Sequence, residues 1–243
     1  MAEHSLIAWT DHSFAPWFGC TKQSPACDAC YAEDWTVHRF HKADWGPHAP
    51  RVRSAPSTWK QPLTWQHKAA RDGVRRRVFV SHLSDVFDNH PTIAAETRSA
   101  LWGLIAKTPD LIWMVLTKRP QNIAKMLPAG WPWPNVWLGV TGENQEWYDA
   151  RVAIRRTMPA TLRFVSVEPM LEPIRADFTG IDWVICGGES RQPGHEPRYM
   201  DPDWARDLRR QCQAAGDPFF IKHMPDDAPI PEDVLTREFP QGR

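Results

Sequence analysis

The sequence predicts an α/β fold in which about six parallel strands form a partial (β/α) barrel. Three observations support this prediction: short continuous apolar runs, helical segments between several of them, and polar residues directly after nearly every run. Parallel strands are buried on both faces, so they read as continuous apolar runs rather than as alternating ones. Strands that alternate with helices are typical of a barrel or an open α/β sheet.

Six apolar runs supply the predicted strands. They cover residues 78–80, 112–116, 136–140, 162–167, 183–186 and 218–221. A length of 243 residues suits one barrel-sized domain as well as two small ones. Since no clear linker interrupts the chain, we expect a single barrel-like domain over residues 1–243.

Three helices are predicted among these strands. Residues 93–107 place a largely apolar set of side chains on one face, and residues 146–158 form a second candidate. Residues 201–216 have the clearest ends, because Asp201 can cap the first turn, Pro202 suits the first helical position and Gly216 can end the helix. The first 75 residues are less regular, and the Pro- and Asp-rich tail from about residue 225 is expected to be irregular.

Polar residues follow the predicted strands at the point where each strand ends. In a barrel the carboxyl ends of the strands meet on one rim, where the active site forms. We therefore expect these side chains to face one cavity, although strands also end in polar loops for no functional reason. The candidates are Ser81, Asp85, Thr117, Lys118, Glu168, Glu189 and Ser190.

Three cysteines fall within one irregular loop near the start of the chain, at residues 17–33. Six residues separate Cys20 from Cys27, two separate Cys27 from Cys30, and no fourth cysteine lies nearby. Three thiolates can hold three irons of a [4Fe–4S] cubane and leave the fourth iron open for a ligand. Cys186 and Cys212 lie in apolar patterns and are expected to be buried thiols.

The blocks around these residues resemble a known family. Residues 20–31, preceded by 8–11, are similar to those of phage and bacterial three-Cys-motif proteins of unknown function, which are usually described as radical S-adenosylmethionine (SAM)-like. The resemblance continues through residues 82–87, 116–120, 138–144, 166–174 and 181–190. It implies a radical SAM-like barrel, a [4Fe–4S] cluster on Cys20, Cys27 and Cys30, and SAM bound at the open iron.

The same resemblance implies an activity and a set of ligand contacts. An external one-electron donor would reduce the cluster, and reductive cleavage of SAM would give a 5′-deoxyadenosyl radical. Candidates for the SAM ammonium are Glu143, Glu168 and Glu189, and candidates for its carboxylate are Lys118, Arg119 and Arg191. Hydroxyls for the ribose would come from Ser81, Thr117, Ser166 and Ser190, and Asp85 would contact cofactor or substrate. A phage setting favours a nucleic acid or nucleotide as substrate.

A second reading needs no catalysis. Thiolate sulfur suits zinc as well as iron–sulfur clusters, and His12, His38 or His82 could be the fourth ligand of a zinc site. Tryptophans near the loop could then stack on bases, which gives a zinc- and nucleic-acid-binding protein. Thiols without any ligand are a third alternative.

Composition bears on partners and location. Lys plus Arg and Asp plus Glu both number 29, so no overall field draws the chain to polyanions. We find no apolar run long enough to cross a membrane and no signal-peptide pattern at the start. A cytoplasmic protein without a membrane partner is therefore expected.

Overall fold

The computed structural model describes residues 3–240 and contains a sheet of seven parallel strands. Residues 1–2 and 241–243, which belong to the predicted domain and its predicted tail, lie outside this range. The strands are β1 (His12–Phe14), β4 (Arg76–Val80), β5 (Leu111–Thr117), β6 (Val136–Thr141), β7 (Leu162–Val167), β8 (Trp183–Cys186) and β9 (Phe219–Ile221). They lie side by side in this order, so each strand pairs with the sheet strand that precedes it in the chain.

Helices cover one face of this sheet. They are α2 (Pro56–Asp72), α3 (Ala95–Ala106), α4 (Ile123–Met126), α5 (Gln145–Arg156) and α6 (Pro202–Ala215). The short helix α1 (Tyr31–Asp34) lies outside this layer and packs with Ala15 and Leu83. Side chains of α2 and α3 pack on the β4–β6 half of the sheet, and side chains of α5 and α6 pack on the β6–β9 half. Burial of these apolar stripes is what holds the helices to the sheet.

The opposite face packs mainly on itself, so the sheet curls into a half-barrel. Alternate strand residues form this concave core, including Phe79, Met114, Trp137, Phe164 and Trp183. Period-two alternation in each strand sends these side chains inward and their neighbours outward to the helices. The aromatic layer fills the half-barrel below the carboxyl ends of its strands. Polar residues occupy these carboxyl ends, which we call the upper end of the half-barrel.

The predicted α/β partial barrel is therefore confirmed, with one strand more than expected. β1 was missed because it has three residues, two of them polar, and pairs with β4 alone. α2 was also missed, since its buried face consists of Thr58, Pro62, Trp65 and Ala69 rather than aliphatic residues. A proline within a pattern normally argues against a helix interior.

The predicted helix ends at α6 are confirmed. The Asp201 side chain accepts a hydrogen bond from Asp203 N, Pro202 stands in the first turn, and Gly216 ends the helix with a left-handed backbone at φ 77°. Cys212 on this helix and Cys186 on β8 are fully buried, as expected.

The cysteine loop contains or adjoins several short elements. Trp17–Phe18 (β2) pairs antiparallel with Val52–Arg53 (β3), and a 3-10 helix spans Pro25–Cys27. α1 continues into a π-helical turn at Trp35–Arg39. After β9 the chain holds a 3-10 turn at Pro225–Asp227 and is otherwise largely irregular up to residue 240. Within residues 3–240, no helix combines the length and the apolar character needed to cross a membrane.

Candidate functional site

One cavity at the upper end of the half-barrel brings the cysteine loop and the strand ends together. Its empty volume, including the part that opens to solvent, is about 870 Å³. All three loop cysteines line it, and so do five of the predicted polar residues: Ser81, Asp85, Thr117, Lys118 and Glu168. We call this space the cysteine cavity. Residues from the ends of β4, β5 and β7 thus meet a loop that is far away in the chain.

The thiols of the loop lie in a poorly solvated place. Cys27 is buried, and Cys20 and Cys30 are half-buried. Burial raises the pKa of Cys20 to about 12 against the opposing charge of Arg119, and burial also raises the pKa of Cys30. A metal ion stabilises thiolate far more than a distant cation does, so such thiols become good ligands once metal is present.

Hydrogen bonds already reach two of the sulfurs. Arg119 Nη1 lies 3.3 Å from Cys20 Sγ, and Gln23 N donates to Cys27 Sγ at 3.5 Å. Within residues 3–240, no three His, Cys, Asp or Glu side chains are close enough to hold a single metal ion. A cubane does not need that convergence, because each thiolate binds a different iron.

Four buried charges join the cysteine loop to the strand ends. Arg119 pairs with Asp85 at 3.0 Å and approaches Asp88 at 3.8 Å, and Arg51 pairs with Asp88 at 2.8 Å. All four residues are at most 6% exposed. Asp85 and Cys20 raise the pKa of Arg119 although its burial opposes the charge. We call this group the charge network.

The charge network holds the backbone next to Cys20. Arg119 Nη2 donates to Thr21 O at 2.8 Å, and Arg51 Nη2 donates to Thr21 Oγ1 at 2.6 Å. The carboxylate of Asp85 accepts from Phe87 N, Thr117 Oγ1, Lys118 N and Arg119 Nη1 at 2.8–3.1 Å. Its acceptor positions are filled, so Asp85 fixes the loop and strand ends and offers no oxygen to a ligand.

Three polar side chains at the end of β4 lack a partner. Ser81 Oγ, His82 Nδ1 and Ser84 Oγ are shielded from solvent and form no hydrogen bond within the described residues. Ser81 also has a left-handed backbone, with φ 63°. Burial lowers the pKa of His82 to about 3, which keeps the imidazole neutral. Unpaired buried polar groups and local strain are costly and are concentrated at binding sites.

Glu168 and Lys222 form an ion pair in the wall of the cysteine cavity. Lys222 Nζ lies 3.0 Å from Glu168 Oε1, although that oxygen accepts no well-aligned hydrogen bond, and Ser166 Oγ donates to Oε2 at 3.1 Å. Burial would raise the pKa of Glu168, but the charges of Lys222 and His223 bring it below its ordinary value. Lys118 forms no ion pair among residues 3–240, which leaves its ammonium available to an anion.

Glu189 does not line the cysteine cavity, contrary to the prediction. Its carboxylate is 5% exposed and forms an ion pair with Arg198, which also donates through Nη2 to Pro25 O at 3.0 Å. Glu189 thereby holds the cysteine loop from outside the cavity. Ser190 does not line it either and lies at a neighbouring cavity, with Oγ 3.4 Å from His223 Nε2.

A second carboxylate holds the loop from the opposite side. Glu143 is fully buried, pairs with Arg151 at 2.6 Å and accepts from Ala26 N at 3.4 Å. Burial would raise the pKa of Glu143, but Arg151 and Lys118 bring it below its ordinary value. The two glutamates therefore fix both sides of the short helix that carries Cys27.

Removing Arg198 tests this arrangement. Arg198→Ala is expected to raise amide hydrogen exchange over residues 20–30 by roughly tenfold, because the Pro25 carbonyl loses its donor and the Glu189 carboxylate keeps only the backbone amide of residue 198. Hydrogen–deuterium exchange mass spectrometry measures this. Arg191→Ala is the control, since Arg191 is 51% exposed and pairs with Asp226 and Glu196. Equal exchange of the loop in both variants contradicts the role of Arg198.

The two glycines after β8, Gly187 and Gly188, leave room for other atoms of the protein. A Cβ on Gly187 would lie 2.8 Å from Glu168 Oε1, and one on Gly188 would lie 2.3 Å from Pro225 N. Gly187 thus makes room for a cavity carboxylate, and Gly188 for a loop.

Sequence reasoning did not single out four side chains that organise the site: Arg51, Asp88, Arg151 and Arg198. Arg51 and Arg198 stand in irregular segments without a repeating pattern, so the sequence carries no signal for them. Asp88 follows Asp85 by three residues, and this spacing could have drawn attention to it. Of the tryptophans near the loop, Trp9 and Trp45 line the cysteine cavity, whereas Trp17 is part of the helix-side core.

Comparisons with known proteins give a family without a function. A family model described as "Protein of unknown function (DUF5131)" matches residues 4–230. No curated protein matches this chain. No solved structure matches it.

Proposed function

Since the chain belongs to the DUF5131 family, whose description assigns no function, we propose from its site that it is a radical SAM-type iron–sulfur enzyme. One observation supports this proposal above all others. Cys20, Cys27 and Cys30 open into the same cavity as the polar ends of the barrel strands. A closed structural metal site needs no such cavity, whereas a cofactor with an open position does.

The residues present suit a [4Fe–4S] cluster with SAM. Three thiols would be the protein ligands of the cluster. Arg119 would donate to the Cys20 sulfur as it does now, and hydrogen bonds to ligating sulfur are a usual way to tune such clusters. Lys118 would face the SAM carboxylate, and the unpartnered hydroxyls of Ser81 and Ser84 would accept or donate to its polar groups.

The protein's own contribution is to position the ligand and to keep water out. When bound, the cluster and SAM supply a one-electron reduction that starts radical chemistry on a substrate, with the electron from an external donor. Trp9, Tyr31 and Trp45 line the cavity and would shield the reacting groups from solvent. His82 is neutral and could hold a proton at Nδ1 or Nε2 without adding charge. The substrate under this proposal is a nucleic acid or a nucleotide.

Cleavage of SAM tests the proposal. The protein, reconstituted anaerobically with iron and sulfide, is expected to show a cubane in Mössbauer spectra with one iron distinct from the other three. Addition of SAM should change the EPR spectrum of the reduced cluster, and a strong reductant should then yield methionine and 5′-deoxyadenosine. The control is reconstitution without reductant. Stoichiometric zinc in freshly isolated protein, or a cluster that neither responds to SAM nor cleaves it, would sink the proposal.

A further inference from the structure

A second cavity adjoins the cysteine cavity and shares part of its wall. Its empty volume, including its open part, is about 1490 Å³. Ile7, Tyr31, His82 and Lys222 line both cavities and so form a shared part of their walls. We call the second space the side chamber. A ligand held there would lie directly beside the thiols and the strand ends.

One wall of the side chamber is aromatic. Tyr31 and Trp35 meet edge to face with ring centroids 6.3 Å apart, and Trp35 meets Phe40 in the same way at 5.7 Å. Edge-to-face contacts leave ring faces free of other rings, although the Arg39 guanidinium lies over one face of Trp35, and Phe40 is 40% exposed. Such a row of rings can stack on flat ligands.

The π-helical turn builds this wall. Phe40 N donates to Trp35 O at 2.9 Å, so the turn closes five residues on instead of four. This turn brings the Phe40 ring edge to face with Trp35, while the Arg39 guanidinium lies over the Trp35 ring, 5.5 Å from its centroid. π-Helical turns are rare and are found mostly at functional sites.

One cation beside the same space has no carboxylate partner among the described residues. Of the four cationic side chains that line the side chamber, three are paired with carboxylates: Arg39 with Asp34, Arg191 with Asp226 and Glu196, and Lys222 with Glu168. The fourth, Arg237, forms no ion pair within residues 3–240, and its guanidinium hydrogen-bonds only to backbone carbonyls. A guanidinium without a carboxylate partner suits a phosphate.

We propose that the side chamber binds a phosphorylated nucleoside unit, with the base against Tyr31, Trp35 and Phe40 and the phosphate at Arg237. This assignment rests on the proposed function, in which the unit belongs to the substrate whose reacting atom reaches the cysteine cavity past His82. An acidic peptide would use the cations and leave the ring faces empty. A nucleotide uses both, because stacking and phosphate contacts act together.

Binding to the full-length chain without metal or SAM tests this inference. Thymidine 5′-monophosphate and a short oligothymidylate are titrated by calorimetry, with thymidine and inorganic phosphate as partial ligands. A pyrimidine is used because adenylate would also report on an adenosine site in the cysteine cavity. Phe40→Ala and Arg237→Gln are each expected to weaken binding about tenfold. Leu63→Ala, at 39% exposed, and Arg210→Gln on α6 are controls expected to bind as the unchanged protein does.

The outcomes separate the sources of the unit and separate this inference from the proposed function. Tighter binding of the oligomer assigns a nucleic-acid strand, and equal binding assigns a free nucleotide; both support the inference. It is overturned if neither ligand binds, if phosphate binds as well as thymidylate, or if Phe40→Ala and Arg237→Gln bind as the controls do. Because no cluster is present, failure to cleave SAM leaves this result untouched. Equally, failure of thymidylate to bind leaves the result of the SAM-cleavage test untouched.

Discussion

Replacing Cys20, Cys27 or Cys30 by alanine is expected to abolish the iron–sulfur cluster. The three thiols lie in one loop, and the described part of the chain offers no other free thiol at the cysteine cavity. A cubane held by two thiolates has two irons without protein ligands and is readily lost. Each variant, after anaerobic reconstitution, should therefore contain little iron and lack the absorption of the cluster. The fold should survive, since the loop is held by Glu143 and Arg198 rather than by its sulfurs.

Cys186→Ala and Cys212→Ala are the matched controls. Both thiols are fully buried in the helix-side core, so their loss should lower stability slightly through a small cavity. Their iron content should equal that of the unchanged protein. Circular dichroism checks that all five variants fold. Full iron content in any one of the three loop variants contradicts the assignment of that cysteine.

Of all these variants, Asp85→Ala is expected to cause the largest decrease in the free energy of unfolding. It removes the closest counter-charge of Arg119, which is 3% exposed and cannot reach water. Breaking a buried pair from one side costs about 3–5 kcal/mol, since the remaining charge stays uncompensated. The 3.8 Å approach of Asp88 to Arg119 cannot compensate fully, because Asp88 is already engaged by Arg51. Urea denaturation, followed by circular dichroism, measures the change in the free energy of unfolding.

Two further variants distinguish charge from shape at this position. Asp85→Asn keeps an acceptor for Thr117 and the backbone amides but loses the negative charge, so an intermediate loss is expected. Asp207→Ala removes an exposed partner of Arg210 on α6 and should change stability little. If Asp85→Ala proves as stable as Asp207→Ala, the charge network does not hold the site together.

Much of the fold follows from the sequence because its strands bury both faces. The run at Leu162–Val167 is one example, since its side chains contact both the concave core and the helix side. The end signals of α6 are equally local and could be read directly. α2 was missed because its apolar pattern is weak, yet Pro56 in its first turn and the left-handed Gly73 at its end were available signals.

The site could be predicted for those residues whose location follows from their position at the end of a strand or in the cysteine loop. The cysteines and the residues just after β4, β5 and β7 reach one cavity because parallel strands end on the same side. Glu189 follows β8 in the same way, but Arg198 turns its carboxylate toward the outside of the cysteine loop. That pairing depends on a loop whose path no periodic pattern fixes. The direction of a side chain beyond the end of its strand is therefore what could not be predicted from the sequence.

The anchors of the cysteine loop lie far downstream, and this distance has a consequence for biosynthesis. The bond from Ala26 to Glu143 spans 117 residues, and the bond from Arg198 to Pro25 spans 173. The ribosome therefore releases the three thiols early and the second anchor late, while each strand adds to the growing sheet in order. A nascent chain therefore lacks these two anchors until residues 143 and 198 have been made, although Arg51 and Arg119 can hold Thr21 earlier. Under the proposed function, iron and sulfide would have to be delivered to a nearly finished barrel rather than to a growing one.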